Sequence, residues 1–260
     1  MTQYKNSTRV ICGAIAITAF ILLWYFGTSG TQLGNIMPGP VKVFRSFARS
    51  FVVPIGKYTM LGHAAWSFTR VIVGFSIASA LGVVIGLGMG WSRVITAIFK
   101  PIIEIIRPIP AIAWIPLAIL WFGLGETTKY FIIFLAGFFN VTLNAYHGAT
   151  SVDQTLVGAA RMLGTKNNRL FFAVVLPSSI PYIFAGMQIA ITTSWATVVA
   201  AEMVRSSEGI GWLIISGMEI NDTTRIFTGI VAVGILGFIF ATIMREVENR
   251  VCRWSKKSDI

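Results

Sequence analysis

The residues of this sequence that could do chemistry are charged and polar side chains inside long apolar stretches. Glu104 and Arg107 stand three residues apart, and Glu202 ends another apolar stretch. Ionisable groups in such surroundings are functional candidates by default, because a buried charge without a partner is costly. Glu104 and Arg107 could instead pair with each other on one helix face. Arg70 and His63, near the start of a stretch, could equally reach out to polar surroundings.

Hydroxyl side chains interrupt the apolar stretch that ends at Glu202. They are too polar to face lipid and occupy the middle of the stretch, at Thr192, Thr193, Ser194 and Thr197. We expect them to line a solute pathway or to hydrogen-bond to a neighbouring helix, and the sequence leaves both open. An anionic solute would favour such hydroxyls together with arginine side chains.

No pattern for catalysis, metal binding or ATP hydrolysis accompanies these residues. The phosphate-binding motif G-x-x-x-x-G-K-[ST] is absent, since Gly56-Lys57 lacks both the upstream glycine and a following Ser or Thr. The two cysteines, Cys12 and Cys252, lie at opposite ends without metal-ligand spacing. We therefore expect no catalytic residue and no metal site, and any ATP hydrolysis must come from a partner.

The apolar stretches themselves predict an all-α, polytopic membrane bundle. Apolar residues make up 55% of the 260 positions and charged residues 12%, about half the charged fraction of a soluble domain. A helix of about 20 apolar residues crosses a membrane, and continuous runs exclude barrel strands. The first run is expected to be a retained anchor and not a signal peptide. A single domain over 1–260 would hold six spans, at about 10–27, 64–90, 102–124, 129–147, 178–203 and 226–244.

The net charge of +11 reflects membrane orientation rather than nucleic-acid binding, because no soluble domain is present to display a basic patch. With both termini in the cytoplasm of a bacterial cell, twelve Lys and Arg residues fall on the cytoplasmic side and seven on the other. That excess follows the positive-inside rule, although four basic residues between positions 38 and 57 weaken it.

The third span is expected to be kinked or broken. Its prolines each remove a backbone donor and obstruct a regular helix, at positions 101, 108, 110 and 116. In lipid the freed carbonyl groups must face protein or water, which places the segment against the bundle interior. Since broken helices commonly line transport pathways, the predicted pathway residues here are Glu104, Arg107, Pro108, Pro110 and Trp114. Plain kinks caused by packing are the alternative.

Two shorter patterns predict helix contacts. Met37-Pro38-Gly39-Pro40, followed by apolar residues at helical spacing, indicates a short interfacial helix in the loop 28–62. Glycines at four-residue spacing predict a close helix–helix contact and not a ligand site, at Gly82, Gly86 and Gly90.

Residues 148–177 predict a structured cytoplasmic helix pair. Ser151 and Gln154 fit a capping box as N-cap and N3, and Gly164 is placed to end the first helix. A second short helix is expected over 166–175, and Leu176-Pro177 should break it where the next span begins.

One stretch of this loop carries a family pattern. The stretch is Val157-Gly158-Ala159-Ala160-Arg161-Met162-Leu163-Gly164, in which two alanines are followed four residues later by a glycine. Leu176-Pro177 follows after about a dozen more residues. The pattern resembles the signature loop of binding-protein-dependent ABC transporter permeases of the type I importer fold. Gly158 stands where the family carries glutamate, so shape rather than charge would carry the coupling. The resemblance extends from about residue 36 to 250.

Further stretches are similar to the taurine, aliphatic sulfonate and nitrate permease subfamily. They include Ile103 to Pro110, Ala113 to Leu117, Trp121 to Thr127, Trp195, Val199 to Met203 and Gly209-Ile210-Gly211. The resemblance implies taurine or another sulfonate as solute, with nitrate, bicarbonate or a small organic nitrogen compound as alternatives. Trp195 and Glu202, beside Thr193 and Thr197, complete the predicted pathway residues; for Glu202 the alternatives are a hydrogen bond across the bundle and a position at the cavity mouth.

The resemblance also implies partners. We expect a second copy of the chain, separate ABC ATPase subunits that bind ATP and Mg²⁺, an extracytoplasmic substrate-binding protein and membrane lipid. We do not expect nucleic acid as a partner or a cofactor in this chain. Contact with the ATPase would involve Gly158, Ala159, Ala160, Arg161, Leu163, Gly164, Leu176 and Pro177. A self-sufficient secondary transporter and a membrane-embedded enzyme are the competing hypotheses, and the scarcity of mid-span charges and of His, Asp or Cys clusters argues against them.

Overall fold

A computed structural model describes residues 6–204 and 206–251, and this part of the chain is helical with no β-strand. The charges predicted at Lys5, Arg205 and the C-terminal tail, and Cys252, lie outside it. The helices are α1 (Asn6–Thr28), α2 (Leu33–Ile36), α3 (Pro40–Arg49), α4 (Met60–Trp91), α5 (Arg93–Ile106), a 3₁₀ turn (Ala111–Trp114), α6 (Ile115–Phe122), α7 (Glu126–Thr150), α8 (Gln154–Met162), α9 (Asn167–Leu170), a π turn (Phe171–Val175), α10 (Leu176–Met203), α11 (Ile210–Glu219) and α12 (Thr223–Val251).

Within the described residues, five helical segments are long and apolar enough to cross a membrane: Ile11–Thr28, Met60–Trp91, Glu126–Thr150, Asn167–Met203 and Thr223–Val251. A sixth crossing is available if α5 and α6, bent by 89° at the intervening break, form one broken span. The predicted all-α fold with about six spans is confirmed, with the bent pair counted as one span.

The centre of the bundle is formed by α4, α7 and α10. Here α4 and α7 run parallel, since Gly74 faces Ile133 and Gly90 faces Ala149. At Gly82 a built Cβ would lie 2.9 Å from the Cβ of Val141, so a side chain there would separate the helices. The predicted close contact of the glycines is therefore confirmed, with α7 as the partner.

The parallel arrangement requires the chain to return across the bundle between α4 and α7, and the broken segment α5–α6 does so. The predicted third span, about 102–124, begins earlier than expected, because α5 already begins at Arg93 and ends at Ile106. Pro108 and Pro110 lack backbone N–H donors, and the residue before a proline is disfavoured in the helical conformation. The bend therefore falls in the break that contains them, between Ile106 and Ala111. Pro101 stays inside α5 and Pro116 lies in the first turn of α6. The expected break is confirmed.

The helix pair after α7 differs from the prediction at two points. Asp153, not Ser151, caps α8, with its carboxylate accepting the backbone N–H of Thr155 at 2.8 Å; the hydroxyl of Ser151 instead donates to the carbonyl of His147. Leu176-Pro177 does not break the second helix. A π turn widens the backbone just before it, and Pro177 sits in the first turn of α10, where its missing N–H is tolerated.

The expected end of α8 is confirmed. Gly164 has φ +77°, and the N–H of Thr165 donates to the carbonyl of Ala160 at 3.1 Å while the N–H of Gly164 donates to that of Arg161 at 2.9 Å. This pair of bonds is a Schellman motif, which needs the left-handed conformation that glycine adopts without penalty.

The predicted short helix in the first loop is α3. Val43 is fully buried, and the hydroxyl of Thr228 on α12 donates to that of Ser46 at 3.0 Å. By contrast, no residue of the apolar window of α1 is buried. Near its end Trp24 anchors α1, with the indole N–H donating to the carbonyl of Pro38 at 3.1 Å.

Candidate functional site

A central cavity of about 310 Å³ lies between the α5–α6 break, α7 and α10. Because α7 and α10 run in opposite directions here, the middle of each faces the break. Five of the predicted pathway residues line this cavity: Arg107, Pro110, Trp114, Thr193 and Thr197. The structure thus brings together residues that are up to 90 positions apart in the sequence.

A second cavity of about 510 Å³ adjoins the first toward the end of α7 that leads into α8. Glu104, Arg107 and Pro108 line it, and Arg107 belongs to both cavities. The two cavities therefore follow one face of α7, from Leu135 near its middle to His147 near its end.

The proposed pairing of Glu104 with Arg107 is wrong. Glu104 instead lies 3.9 Å from the ammonium group of Lys100, with the two side chains exposed by 63% and 49%. A pair this exposed contributes about 0–1 kcal/mol. Arg107 has no ion pair among the residues that the structure describes, so its charge is available to a solute in either cavity.

The hydroxyl groups of α10 divide between the two roles that the sequence left open. Ser194 is buried and donates to the carbonyl of Ile133 at 3.3 Å, which ties α10 to α7. Thr193 lines the central cavity, where its hydroxyl lies 3.0 Å from the carbonyl of Ala136 and 3.3 Å from the side-chain nitrogen of Asn140. Asn140, which sequence reasoning missed, adds an amide to the cavity wall.

Trp195 lies apart from both cavities. Its ring packs against Phe240, with centroids 4.9 Å apart, and its N–H donates to the carbonyl of Val233 at 3.1 Å. Only 6% of Trp195 is exposed, so it belongs to the contact between α10 and α12. Helix packing, not solute contact, accounts for this residue.

Glu202 also lies apart from the cavities, in an ionic cluster at the end of the bundle where α4 and α7 begin. We call Arg70, Glu126, Lys129, Glu202 and Glu208 the Arg70 cluster. Arg70 is fully buried, so it does not reach out to the membrane interface. Its guanidinium contacts Glu126 through two nitrogens at 2.6 and 2.7 Å, Glu202 at 2.8 Å and Glu208 at 3.3 Å.

The Arg70 cluster fastens the connection between α10 and α11. The carbonyl of Glu208 accepts from Arg70 at 2.9 Å, and the carboxylate of Glu202 accepts the N–H of Gly211 at 2.9 Å. The N–H of Gly209 donates to Nδ1 of His63 at 3.1 Å, so the other ring nitrogen donates to the carbonyl of Ile55, 2.9 Å away. Glu126 and Glu208 were missed as site residues, because no local pattern links them to Arg70.

The predicted coupling residues lie at the opposite end of the bundle, about 37 Å away along the 25 residues of α7. No residue of α8 is buried, and Met162 and Leu163 are exposed by 90% and 86%. A Cβ at Gly158 would meet nothing within 4 Å. Ala159, Arg161 and Pro177 are exposed as well, while Ala160 and Leu176 are partly exposed. The segment is held to the bundle by Val152, Leu170 and Val175, which are buried.

The family described as "Binding-protein-dependent transport system inner membrane component" matches residues 78–253, which is most of the chain. The chain belongs to this family of ABC importer permeases. It is 35% identical to a probable ABC transporter permease protein of Brucella abortus, over 90% of this chain and 92% of the relative. It is also 35% identical to the taurine transport system permease protein TauC of Escherichia coli K12, over 95% and 91%. The family match replaces the secondary transporter and the membrane enzyme as hypotheses.

Other relatives of this permease differ in the solute that they are named for. An aliphatic sulfonates permease protein of Bacillus subtilis is 30% identical, and a nitrate import permease protein of Synechocystis is 32% identical. A bicarbonate transport system permease protein of Synechococcus elongatus is 29% identical. Each match covers more than 85% of both chains. The MetNI methionine ABC transporter shares the fold, with a TM-score of 0.62 at 17% identity over 74% of this chain and 96% of that one.

These findings make the protein a multi-pass membrane permease subunit of an ABC importer, whose ATPase is a separate subunit and which works with a substrate-binding protein.

Proposed function

We propose that two copies of this permease form the pathway for a small anionic solute, with taurine or another sulfonate as the first candidate. Arg107 carries this proposal, because it combines a charge without an ion pair among the described residues with a position in both cavities. Thr193 and Asn140 add hydroxyl and amide groups beside it, and none of the described residues that line the central cavity is Asp or Glu. A guanidinium group with neighbouring hydrogen-bonding groups suits a sulfonate, whose oxygens accept several bonds. Nitrate, bicarbonate and small organic nitrogen compounds are the alternative solutes.

A second copy completes the pathway in this proposal. Ile109 and Ile112 line the central cavity and are exposed by 43% and 51%, so one wall of the cavity lies at the surface of the single chain. A symmetric pair would cover this surface on both subunits with the same patch. The two Arg107 side chains would then line one shared pathway.

Coupling to ATP hydrolysis takes place through residues 148–177. The small residues Gly158, Ala159 and Ala160 allow α8 to enter a cleft of the ATPase, which binds ATP and Mg²⁺. Movement of the cleft would displace α8 together with the adjoining ends of α7 and α10 as a rigid body. In this arrangement the protein lies in the cytoplasmic membrane of a bacterium, with both termini in the cytoplasm. The Arg70 cluster then lies at the extracytoplasmic end of the bundle.

The test is uptake into proteoliposomes that contain the permease and its ATPase, with the cognate binding protein and ATP supplied. Radiolabelled taurine, another sulfonate, nitrate and bicarbonate are compared, and thermal stabilisation of the binding protein by each solute is measured in parallel. We expect ATP-dependent uptake of a sulfonate and none without the ATPase. Uptake that follows an ion gradient alone would reject the proposal, and uptake of nitrate or bicarbonate alone would reject the sulfonate.

Arg107→Gln examines the role of the cavity in the same assay. Loss of one charged hydrogen-bonding partner is expected to reduce uptake about tenfold or more, with unchanged stabilisation of the binding protein by the solute. Arg93→Gln is the matched control, since Arg93 begins the same broken segment but lines neither cavity. Equal uptake by both variants would remove Arg107 from the pathway.

A further inference from the structure

The first 103 residues of the chain contain no Asp or Glu, yet the loop between α1 and α4 contains four basic residues, Lys42, Arg45, Arg49 and Lys57. Under the orientation proposed above, the positive-inside rule disfavours cations in this loop, so membrane orientation does not explain them. None of the four has an ion pair among the residues that the structure describes. Their charge is therefore free to meet an external anion.

Two of these four cations line a cavity of about 300 Å³ between the end of α1 and the start of α3. Lys42 and Arg45 stand three residues apart on α3, which places them on one helix face. Thr28 and Ser29, at the end of α1, form the opposite wall, where the hydroxyl of Thr28 donates to the carbonyl of Trp24 at 2.8 Å and Ser29 adds a second hydroxyl. None of the lining residues in the described part of the chain is acidic.

The depth of this cavity in the membrane is fixed by the helices around it. Thr28 ends the apolar window of α1, so the cavity lies where hydrocarbon gives way to headgroups. Val43 is fully buried and Ser46 is hydrogen-bonded to Thr228 of α12, whereas Lys42 and Arg45 are exposed.

Apolar surface runs away from the cavity in the direction of the hydrocarbon. Tyr25 and Val41 line the cavity and are exposed by 42% and 58%. Beyond them, the apolar window of α1 is unburied along its whole length. A ligand that fits this arrangement has a negatively charged head at the interface and an apolar tail beside α1.

We propose that the cavity formed by Lys42, Arg45, Thr28 and Ser29 is a binding site for an anionic phospholipid. Its phosphate lies between Lys42 and Arg45, the hydroxyl of Ser29 contacts the headgroup, and an acyl chain lies along the exposed apolar surface of α1. The lipid would thereby fasten α1, which is otherwise attached to the bundle mainly through Trp24, Phe44 and Phe227.

Native mass spectrometry of the complete transporter, delipidated in a neutral detergent, tests this site. The probes are phosphatidylglycerol and phosphatidylcholine with identical acyl chains, and free glycerol phosphate and sulfate. We expect phosphatidylglycerol to bind the wild type more tightly than phosphatidylcholine does. In Lys42→Gln with Arg45→Gln its binding should weaken about thirty-fold, the effect of two cations near a lipid surface.

Arg49→Gln with Lys57→Gln is the matched control, since it removes the same charge from exposed residues of the same loop outside the cavity. This variant should keep the wild-type affinity for phosphatidylglycerol. Melting temperatures measured without lipid show whether both variants are folded. We expect both to fold, because all four substituted residues are exposed.

Four outcomes would overturn the proposal. Equal weakening in both double variants would indicate diffuse charge attraction rather than a site. Equal binding of phosphatidylglycerol and phosphatidylcholine would indicate nonspecific lipid. Competition by glycerol phosphate or sulfate at the concentration of the lipid would indicate a site for free anions, and an absence of bound lipid would indicate that another subunit covers the cavity.

Discussion

At the end of the bundle where α4 and α7 begin, Arg70 and Glu202 are fully buried and meet each other inside one chain. At the other end, α8 buries none of its residues and leaves Met162 and Leu163 almost entirely exposed. The first end has its charges paired within one chain, whereas the second leaves apolar side chains exposed. An exposed apolar patch of this kind marks an interaction site. We therefore expect substitutions at the buried end to affect folding, and substitutions at the exposed end to affect the proposed coupling.

The largest effect is expected at the buried end. Arg70→Met would leave the carboxylate of Glu202 in the interior without its counter-charge, which costs about 3–5 kcal/mol. We expect a strongly reduced yield of monodisperse protein in detergent and a lower melting temperature. Arg250→Met is the control, because Arg250 and Glu246 pair at 3.0 Å while exposed by 77% and 57%. An unchanged melting temperature of the Arg70 variant would show that the cluster does not hold the fold together.

The next effect is expected at the exposed end, and on transport rather than on folding. Ala160→Glu would place a long charged side chain on the proposed ATPase-facing surface of α8. We expect ATP-driven uptake to fall at least about tenfold, equivalent to about 1.4 kcal/mol of coupling, with normal amounts of protein in the membrane. Ala48→Glu, an exposed alanine on α3 at the other end, should transport normally. Full uptake by the Ala160 variant would contradict the assignment of α8.

A smaller effect is expected where α8 ends. Gly164→Ala would force a Cβ into a left-handed conformation, at a cost of about 1–2 kcal/mol, although nothing lies within 4 Å of the new atom. Hydrogen exchange of the α8 amides should become faster by the corresponding factor. Gly158→Ala, in the middle of the same helix, should slow exchange instead, since alanine is the better helix former. Changes of the same sign in both variants would argue against the Schellman motif.

The smallest effect concerns the cap of α8. The pKa of Asp153 is held below its usual value because its carboxylate accepts hydrogen bonds from Thr155. A pKa that is lower in the folded state gives stabilisation that is fully present above the unfolded-state pKa and is lost as the pH falls through the folded-state value. Protection of the first α8 amides should therefore decrease at acidic pH in the wild type. In Asp153→Asn this pH dependence should be absent, and its persistence would assign it to another group.

Local chemistry was sufficient to predict several elements of this permease. The lengths of the apolar runs predicted an all-α multi-pass fold, and the missing N–H groups of Pro108 and Pro110 predicted the break in the third span. Gly164 marked the end of α8, because a left-handed position there favours glycine regardless of the surroundings. These predictions held since each depends on residues a few positions apart.

Other features depended on contacts between distant parts of the chain. Arg70 reaches Glu126, Glu202 and Glu208 across 56, 132 and 138 residues, and no spacing in the sequence records such a meeting. Trp195 was predicted to lie in the pathway, but it packs against α12 and lines neither cavity, for the same reason. A tryptophan in an apolar helix can face a cavity or another helix, and the position of α12 decided between them.

The sequence by itself determined the membrane class of the protein, its family and the small-residue loop that resembles an ATPase contact, because these follow from composition and from motifs that are contiguous in the chain. Only the tertiary structure decided which charges are paired. Glu104 pairs with Lys100, and Arg107 lines both cavities. Arg70 is enclosed by carboxylates at one end of the bundle. The physical reason is that the environment of a charge is set by which helices surround it, and that depends on how the whole bundle packs.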